Sequence, residues 1–141
     1  MIRFVGIVIL TLAVASLLSC QSYSTGLKQS LDRAGETSAI VTLKTISTTQ
    51  QTYAASNDGS YASFQQLCDA GTLDSRFNSA NPRIGDYVFS MNVGDKFFSC
   101  NADPAPGRAA SLRHFYMDST SGAIHANATQ PATSTDPELN Q

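Results

Sequence analysis

Three hydrophobic patterns follow one another along the chain. Residues 4–18 form an uncharged apolar run behind one early basic residue, Arg3. From 27 to 56 no proline occurs, and apolar residues recur at helical spacing. Leu27, Leu31, Ala34 and Val41 share one helix face, while Ala39, Leu43, Ile46, Gln50 and Tyr53 share another, about 120° around. An apolar face that shifts in this way predicts different surroundings for the two halves of the helix. Local propensity opposes it: Thr42, Thr45, Thr48, Thr49 and Thr52 are β-branched, and Gly35 costs about 1 kcal/mol relative to alanine. A strand is the competing reading, but alternation fails after Leu43. The expectation is a helix that depends on packing.

Asn57-Asp-Gly59 ends that helix, the glycine supplying a left-handed residue. Ser63-Phe-Gln-Gln66 has the spacing of a capping box, in which serine bonds forward and glutamine reaches back. It predicts a short second helix with Phe64, Leu67 and Cys68 on one face, closed by Gly71. Residues 78–86, with Pro82 and Gly85, read as loop. The third pattern is strict alternation: Tyr87, Phe89, Met91 and Val93 interleave with Val88, Ser90 and Asn92. A turn at 92–95 leads to a strand at 96–102, and a turn at 119–122 joins strands at 112–118 and 123–127. These form two hairpins. From Ala128 onward almost nothing is apolar, and a disordered polar tail is expected over 128–141. The fold class is therefore α+β: one long N-terminal helix on an antiparallel sheet of three or four strands, plus a short second helix.

Length and charge narrow the partners. With 141 residues and 42% hydrophobic positions, the chain supports one small core. Nine basic residues stand against eleven acidic ones, in no cluster or stripe. Nucleic acid is excluded as a partner on that ground, since phosphate binding needs concentrated positive charge.

The run at 4–18 is short for a bilayer span, which needs about 20 apolar residues. It has the proportions of a signal-peptide core. It ends in Leu17-Leu-Ser-Cys20, which resembles the bacterial lipobox, where the cysteine is lipidated and becomes the new N-terminus. The division this implies is a signal peptide at 1–19, a lipidated tether at 20–25, a globular domain at 26–127 and the tail at 128–141. Cys20 is then the lipid attachment site and the membrane a partner through its acyl chains. Each buried CH₂ adds about 0.8 kcal/mol to such an anchor. By the same resemblance, Gln21 fits the periplasmic face of the outer membrane if the host is Gram-negative. A plain secretory signal and an uncleaved span are the alternatives. Loss of the leader removes Arg3, leaving eight basic residues against eleven acidic and a net charge of −3.

The domain itself resembles the globular domain of type IV pilins and type II secretion pseudopilins. Ala34-Gly-Glu-Thr-Ser-Ala-Ile40, Leu43-Lys-Thr-Ile-Ser-Thr-Thr-Gln50 and Tyr53-Ala-Ala are similar to the family's A-N-E-A-S-A-I…L-R-T-I-N-T-A-Q…Y. Gly59-Ser-Tyr-Ala62 resembles G-x-Y-A, and Gly85-Asp-Tyr-Val-Phe89 resembles S-G-Y-T-F. Phe98-Ser-Cys-Asn-Ala-Asp-Pro104 resembles Y-S-A-N-A-x-P, and His114-Phe-Tyr-Met-Asp118 with Gly122-Ala-Ile124 resembles x-F-Y-x-D-x-x-G-x-I. The likeness runs from about 26 to 127 and implies the pilin-like plan of helix and small sheet. It implies partners among envelope proteins, including secretion or pilus components. The chain departs from the family at its start: no glutamate lies within 4–18, and the lipobox-like motif stands where the apolar stalk would continue.

The remaining chemistry is sparse. Cys68 and Cys100 are expected to pair in an oxidising compartment, which would stabilise by roughly 3 to 4 kcal/mol on the chain-entropy model; two buried free thiols are the alternative. His114 and His125 fall on adjacent strands, with Asp118 the one nearby further ligand. Asp95, Asp103 and Asp118 fall in separate turns, without the alternating acids of a calcium loop. Neither a G-x-S-x-G elbow nor a glycine-rich phosphate loop occurs. No catalytic residue, cofactor or metal is expected. Three functions stay open: a protein-interaction module in the envelope, a small-ligand or metal-binding lipoprotein, and a minor pilin with an uncleaved span.

Overall fold

The computed structural model describes the backbone of residues 2–140 and the side chains of residues 23–140. Two units divide the chain, Met1–Ala34 and Gly35–Gln141. Helix α1 (Ile2–Ala55) supplies all the secondary structure of the first unit and enters the second. In the first unit Tyr23, Leu27 and Leu31 are exposed.

Within the second unit, α1 buries the face that carries Ala39, Leu43, Ile46 and Gln50. Val41, on the other predicted face, is 57% exposed. The helix persists through its threonines because the Ala39–Gln50 face is buried; their hydroxyls bond back one turn, Thr42 to the Ser38 carbonyl, Thr45 to Val41, Thr48 to Lys44 and Thr52 to Thr48. Gly35 sits where a Cβ would come 3.3 Å from the Asp86 Oδ2, so the residue that lowers helix propensity makes room for a neighbouring turn. Gly59 closes α1 at φ 79° and donates to the Ala54 carbonyl.

Helix α2 (Phe64–Asp69) starts at the predicted capping box: Ser63 Oγ accepts from Gln66 N–H, and Gln66 Oε1 accepts from Ser63 N–H. A 3-10 turn at Ser75–Phe77 follows, with Asp74 as its cap.

The sheet has five strands in the order β1-β2-β3-β4-β5, all antiparallel, rather than the three or four expected. They are β1 (Arg83–Ile84), β2 (Tyr87–Gly94), β3 (Phe97–Pro104), β4 (His114–Asp118) and β5 (Ile124–Asn127). The additional strand lies in the segment read as loop. Two residues long, it leaves no alternation to detect; the turn at Gly85, with φ 61°, folds it onto β2. The β2–β3 turn falls at Asp95–Lys96, beyond the expected position, with Lys96 at φ 53°.

Alternation sends Tyr87, Phe89, Phe98, Cys100, Ala102, Phe115, Met117 and Ile124 to the face that α1 covers, where all are buried. Phe64 and Phe77 from the connecting segment complete this core, their rings 5.8 Å apart, with Phe77 6.4 Å from Phe89. Among the described residues, buried Gln50 is the one amide in it. It accepts from Ala62 N–H at 3.0 Å and donates to the Ala62 carbonyl at 2.6 Å and to Met91 Sδ at 3.0 Å. The segment after α1 is thus fixed by a side chain acting as its strand partner.

The tail is folded, against expectation. Ala126 N–H donates to the Pro137 carbonyl, Leu139 N–H donates to Ile124, and Ala132 is 2% exposed. Polar composition misleads here because hydrogen bonds to β3 and β5 hold most of the segment, with Ala132 and Leu139 adding only a little apolar burial.

Candidate functional site

The face of the sheet turned away from α1 carries polar residues: Asn101 and Asp103 on β3, His114, Tyr116 and Asp118 on β4, His125 and Asn127 on β5. Residues 128–140 return along it. Asn101 Nδ2 donates to the Ala132 carbonyl at 2.9 Å, His125 Nδ1 bonds the Asp136 carbonyl at 2.7 Å, and Asn127 Nδ2 donates to Asp136 Oδ1 at 2.7 Å. Asp136 Oδ2 accepts from Thr133 N–H and from its hydroxyl. Thr133 N–H foremost, then Asn127, holds the Asp136 carboxyl below the usual carboxylate range.

Between this segment and the sheet runs a groove of about 440 Å³, flanked by Phe97, Tyr116, Asp118, His125, Ser134 and Glu138. Burial pushes the Asp118 carboxyl up. The N–H groups of Ser121 and Thr120, the Tyr116 hydroxyl and the nearby His125 outweigh it, and Asp118 is held low and ionised. Burial and the bond to Asp118 push the Tyr116 hydroxyl up. With Nδ1 of His125 committed to a carbonyl, Nε2 is the ring nitrogen left for another group. Aromatic walls and acceptor oxygens suit a polar ligand rich in hydrogen-bond donors.

The residues singled out in the sequence are dispersed. His114 and His125 share a face, but each is committed elsewhere: His114 Nδ1 lies 2.6 Å from Asp103 Oδ1, and β4–β5 register sets His125 opposite Tyr116. Among the described residues no three His, Cys, Asp or Glu stand close enough to hold a metal ion. Asp95 is in the β2–β3 turn, while Asp118 caps the β4–β5 turn.

The expected Cys68–Cys100 bond is absent; both thiols are free. Cys100 lies at the centre of the sheet between Met91 and Met117, whereas Cys68, half-buried near the end of α2, donates to the Asp74 carbonyl. Shared apolar parity put both thiols inside but did not put them together. Burial, followed by Asp103, pushes the Cys100 thiol far above its ordinary value. Cys20 lies outside the described side chains, as do residues 4–18. No helix among the described residues is long and apolar enough to cross a membrane.

The tail's part in this face was missed by sequence reasoning. Its signals were slight: Ala132 and Leu139 in a polar stretch, and Asp136 three residues after Thr133. Comparison with protein-family models, curated proteins and solved structures gives no match to this chain.

Proposed function

We propose that the chain is a lipid-anchored envelope protein whose folded head is a pilin-like module for binding other proteins, accessory to a secretion or pilus machine. The observation that carries the reading is the Leu17-Leu-Ser-Cys20 motif that closes an apolar run too short for a permanent span. In support, the head follows the family's order of long helix then antiparallel sheet, and the Gly59-Ser-Tyr-Ala62 motif lies where α1 ends and Gln50 grips Ala62. The anchor replaces the stalk of a filament subunit and keeps the head at the membrane.

Intact mass of the protein extracted from membranes tests it. Acyl chains on an N-terminal Cys20, and release of a Cys20→Ser variant from the membrane fraction, are the expected results. A full-length chain carrying an unmodified Cys20 overturns the anchor and favours the uncleaved minor pilin.

A second reading, a lipoprotein that takes a small polar ligand, is favoured by the groove at Tyr116, Asp118, His125 and Glu138. Thermal shift against sugars, amines and divalent ions distinguishes it. Stabilisation lost in Glu138→Gln supports the ligand.

A further inference from the structure

The two edges of the sheet are treated differently. At the β5 edge the chain pairs with itself: Ala126 donates to Pro137, Leu139 donates to Ile124, and His125 bridges Glu138. At the other edge β1 covers only the start of β2, through Ile84↔Tyr87 and Arg83↔Val88. Phe89 N–H still reaches the Pro82 carbonyl at 2.9 Å, and cover ends there.

That bond fixes the orientation of the rest of the strand. In an antiparallel ladder alternate residues point both backbone groups the same way. Phe89 points to the β1 side, so Met91 and Val93 do too, while Ser90 and Asn92 pair with Asn101 and Ser99 of β3. Two N–H and two C=O groups therefore line an edge whose side chains are half-buried to exposed. Native sheets blunt such edges with charge, proline or a covering segment. Among the described residues no charge or proline stands at 91–93 and no segment pairs with it, although the chain supplies cover at its opposite edge.

Beside Met91 lies a groove of about 260 Å³, formed by Ser63, Phe64 and Gln65 at the start of α2 and by Ser79 and Ala80. It holds no charged side chain. An extended strand is the one backbone form that pairs with both outward residues, and this groove takes an apolar side chain projecting from it.

We propose that the edge of β2 at 91–93 receives an extended, uncharged segment of a partner protein. Met91 and Val93 bond its backbone, and one mid-sized apolar side chain fills the groove between Phe64, Ala80 and Met91. The inference rests on the protein-binding part of the reading above and is independent of the lipid anchor.

The test uses the full chain in detergent and a phage-displayed library of random linear decapeptides. Selected peptides, resynthesised, are expected to slow exchange of the Met91 and Val93 amides at least tenfold, with Ala126 unchanged. Val93→Pro removes one outward donor without touching the ladder to β3, and should abolish binding while Tm holds. Should that variant unfold, Ala80→Arg, at an exposed position, should weaken binding at least tenfold. Absence of any bound peptide, or unaltered exchange at Met91 and Val93, overturns the edge. So does full binding by a folded Val93→Pro or Ala80→Arg chain. A concentration-dependent dimer that already protects these amides overturns it as well, since a second copy then holds the edge. Peptides that map to the outer face instead overturn the edge alone and leave the protein-binding reading standing.

Discussion

Glu36 holds Arg113 twice, across 77 residues of sequence. Its Oε1 accepts from the Arg113 backbone N–H at 3.0 Å, and both carboxylate oxygens accept from the guanidinium, the shortest bond being 2.8 Å. The same guanidinium lies 5.5 Å from the Phe115 ring centroid. One carboxylate thereby ties α1 to the entry of β4, joining helix to sheet where the core begins.

The pair makes stability depend on pH in a definite direction. Burial pushes the Glu36 carboxyl up, but the bonds from Arg113 and its charge outweigh this and hold it below the usual carboxylate range. A carboxyl depressed by folding stabilises above its unfolded pKa and loses that contribution as pH falls through its folded pKa. Glu36→Gln should cost about 1–2 kcal/mol at pH 7, toward the low end of the roughly 1.5–3 kcal/mol of a bond to a charged group, because the Arg113 side chain is partly exposed to solvent. The deficit should shrink toward pH 3. Urea unfolding of both chains across that interval checks this; a constant difference would mean that Glu36 acts by shape alone.

Gln50 makes a sharper demand. Replacing it by leucine keeps the volume but leaves Ala62 N–H and C=O without partners beside a closed core. Two buried backbone groups cost about 1–3 kcal/mol each when unpaired, so Gln50→Leu should lose roughly 2–6 kcal/mol. Gln50→Glu should lose more at pH 7 than at pH 4, because an ionised carboxylate there meets the Ala62 carbonyl. Equilibrium denaturation at the two pH values measures both.

The helix rhythm through Ala39, Leu43, Ile46, Gln50 and Tyr53 was legible because burial on one side of a helix imposes its period on the sequence. So was the alternation of β2, and so was the Ser63–Gln66 box. The rest was hidden for reasons that follow from the same physics. β1 is too short to have a period. The tail is held largely by hydrogen bonds, backbone and side-chain, whose partners lie on β3 and β5 and leave no period in its sequence. Glu36–Arg113 joins residues whose proximity depends on the finished fold. The groove at Tyr116 and Asp118 was only half visible, since its other wall, Ser134 and Glu138, comes from the segment expected to be disordered.

The two thiols should behave as strangers. Cys100→Ser places a hydroxyl at a fully buried position between two methionines, at a cost of about 1–3 kcal/mol. Cys68→Ser replaces one weak donor to Asp74 by a stronger one, with an effect within about 0.5 kcal/mol. The double variant should show the sum of the two losses, as sites without a bond do. Alkylation of the native chain should reach Cys68 before Cys100, whose thiolate is suppressed by burial. Equal, non-additive losses would instead mean that the thiols are joined in the cell.

Deleting residues 129–141 separates a folded segment from a disordered one. Deletion strips Ala126 N–H and the Ile124 carbonyl of their partners, frees the Asn101 amide, and removes the carbonyl that fixes His125. At about 1 kcal/mol net for each partly exposed bond, the loss should be about 1–3 kcal/mol, with the β5 edge open to pairing with other chains. Faster exchange at Ala126 and a rise in self-association at high concentration are the expected readouts. The narrower substitution Asp136→Ala should reproduce part of the loss, because it unties Thr133 and Asn127 together while leaving the Pro137–Ala126 bond in place. A tail without fixed structure would leave stability, exchange and association as they are.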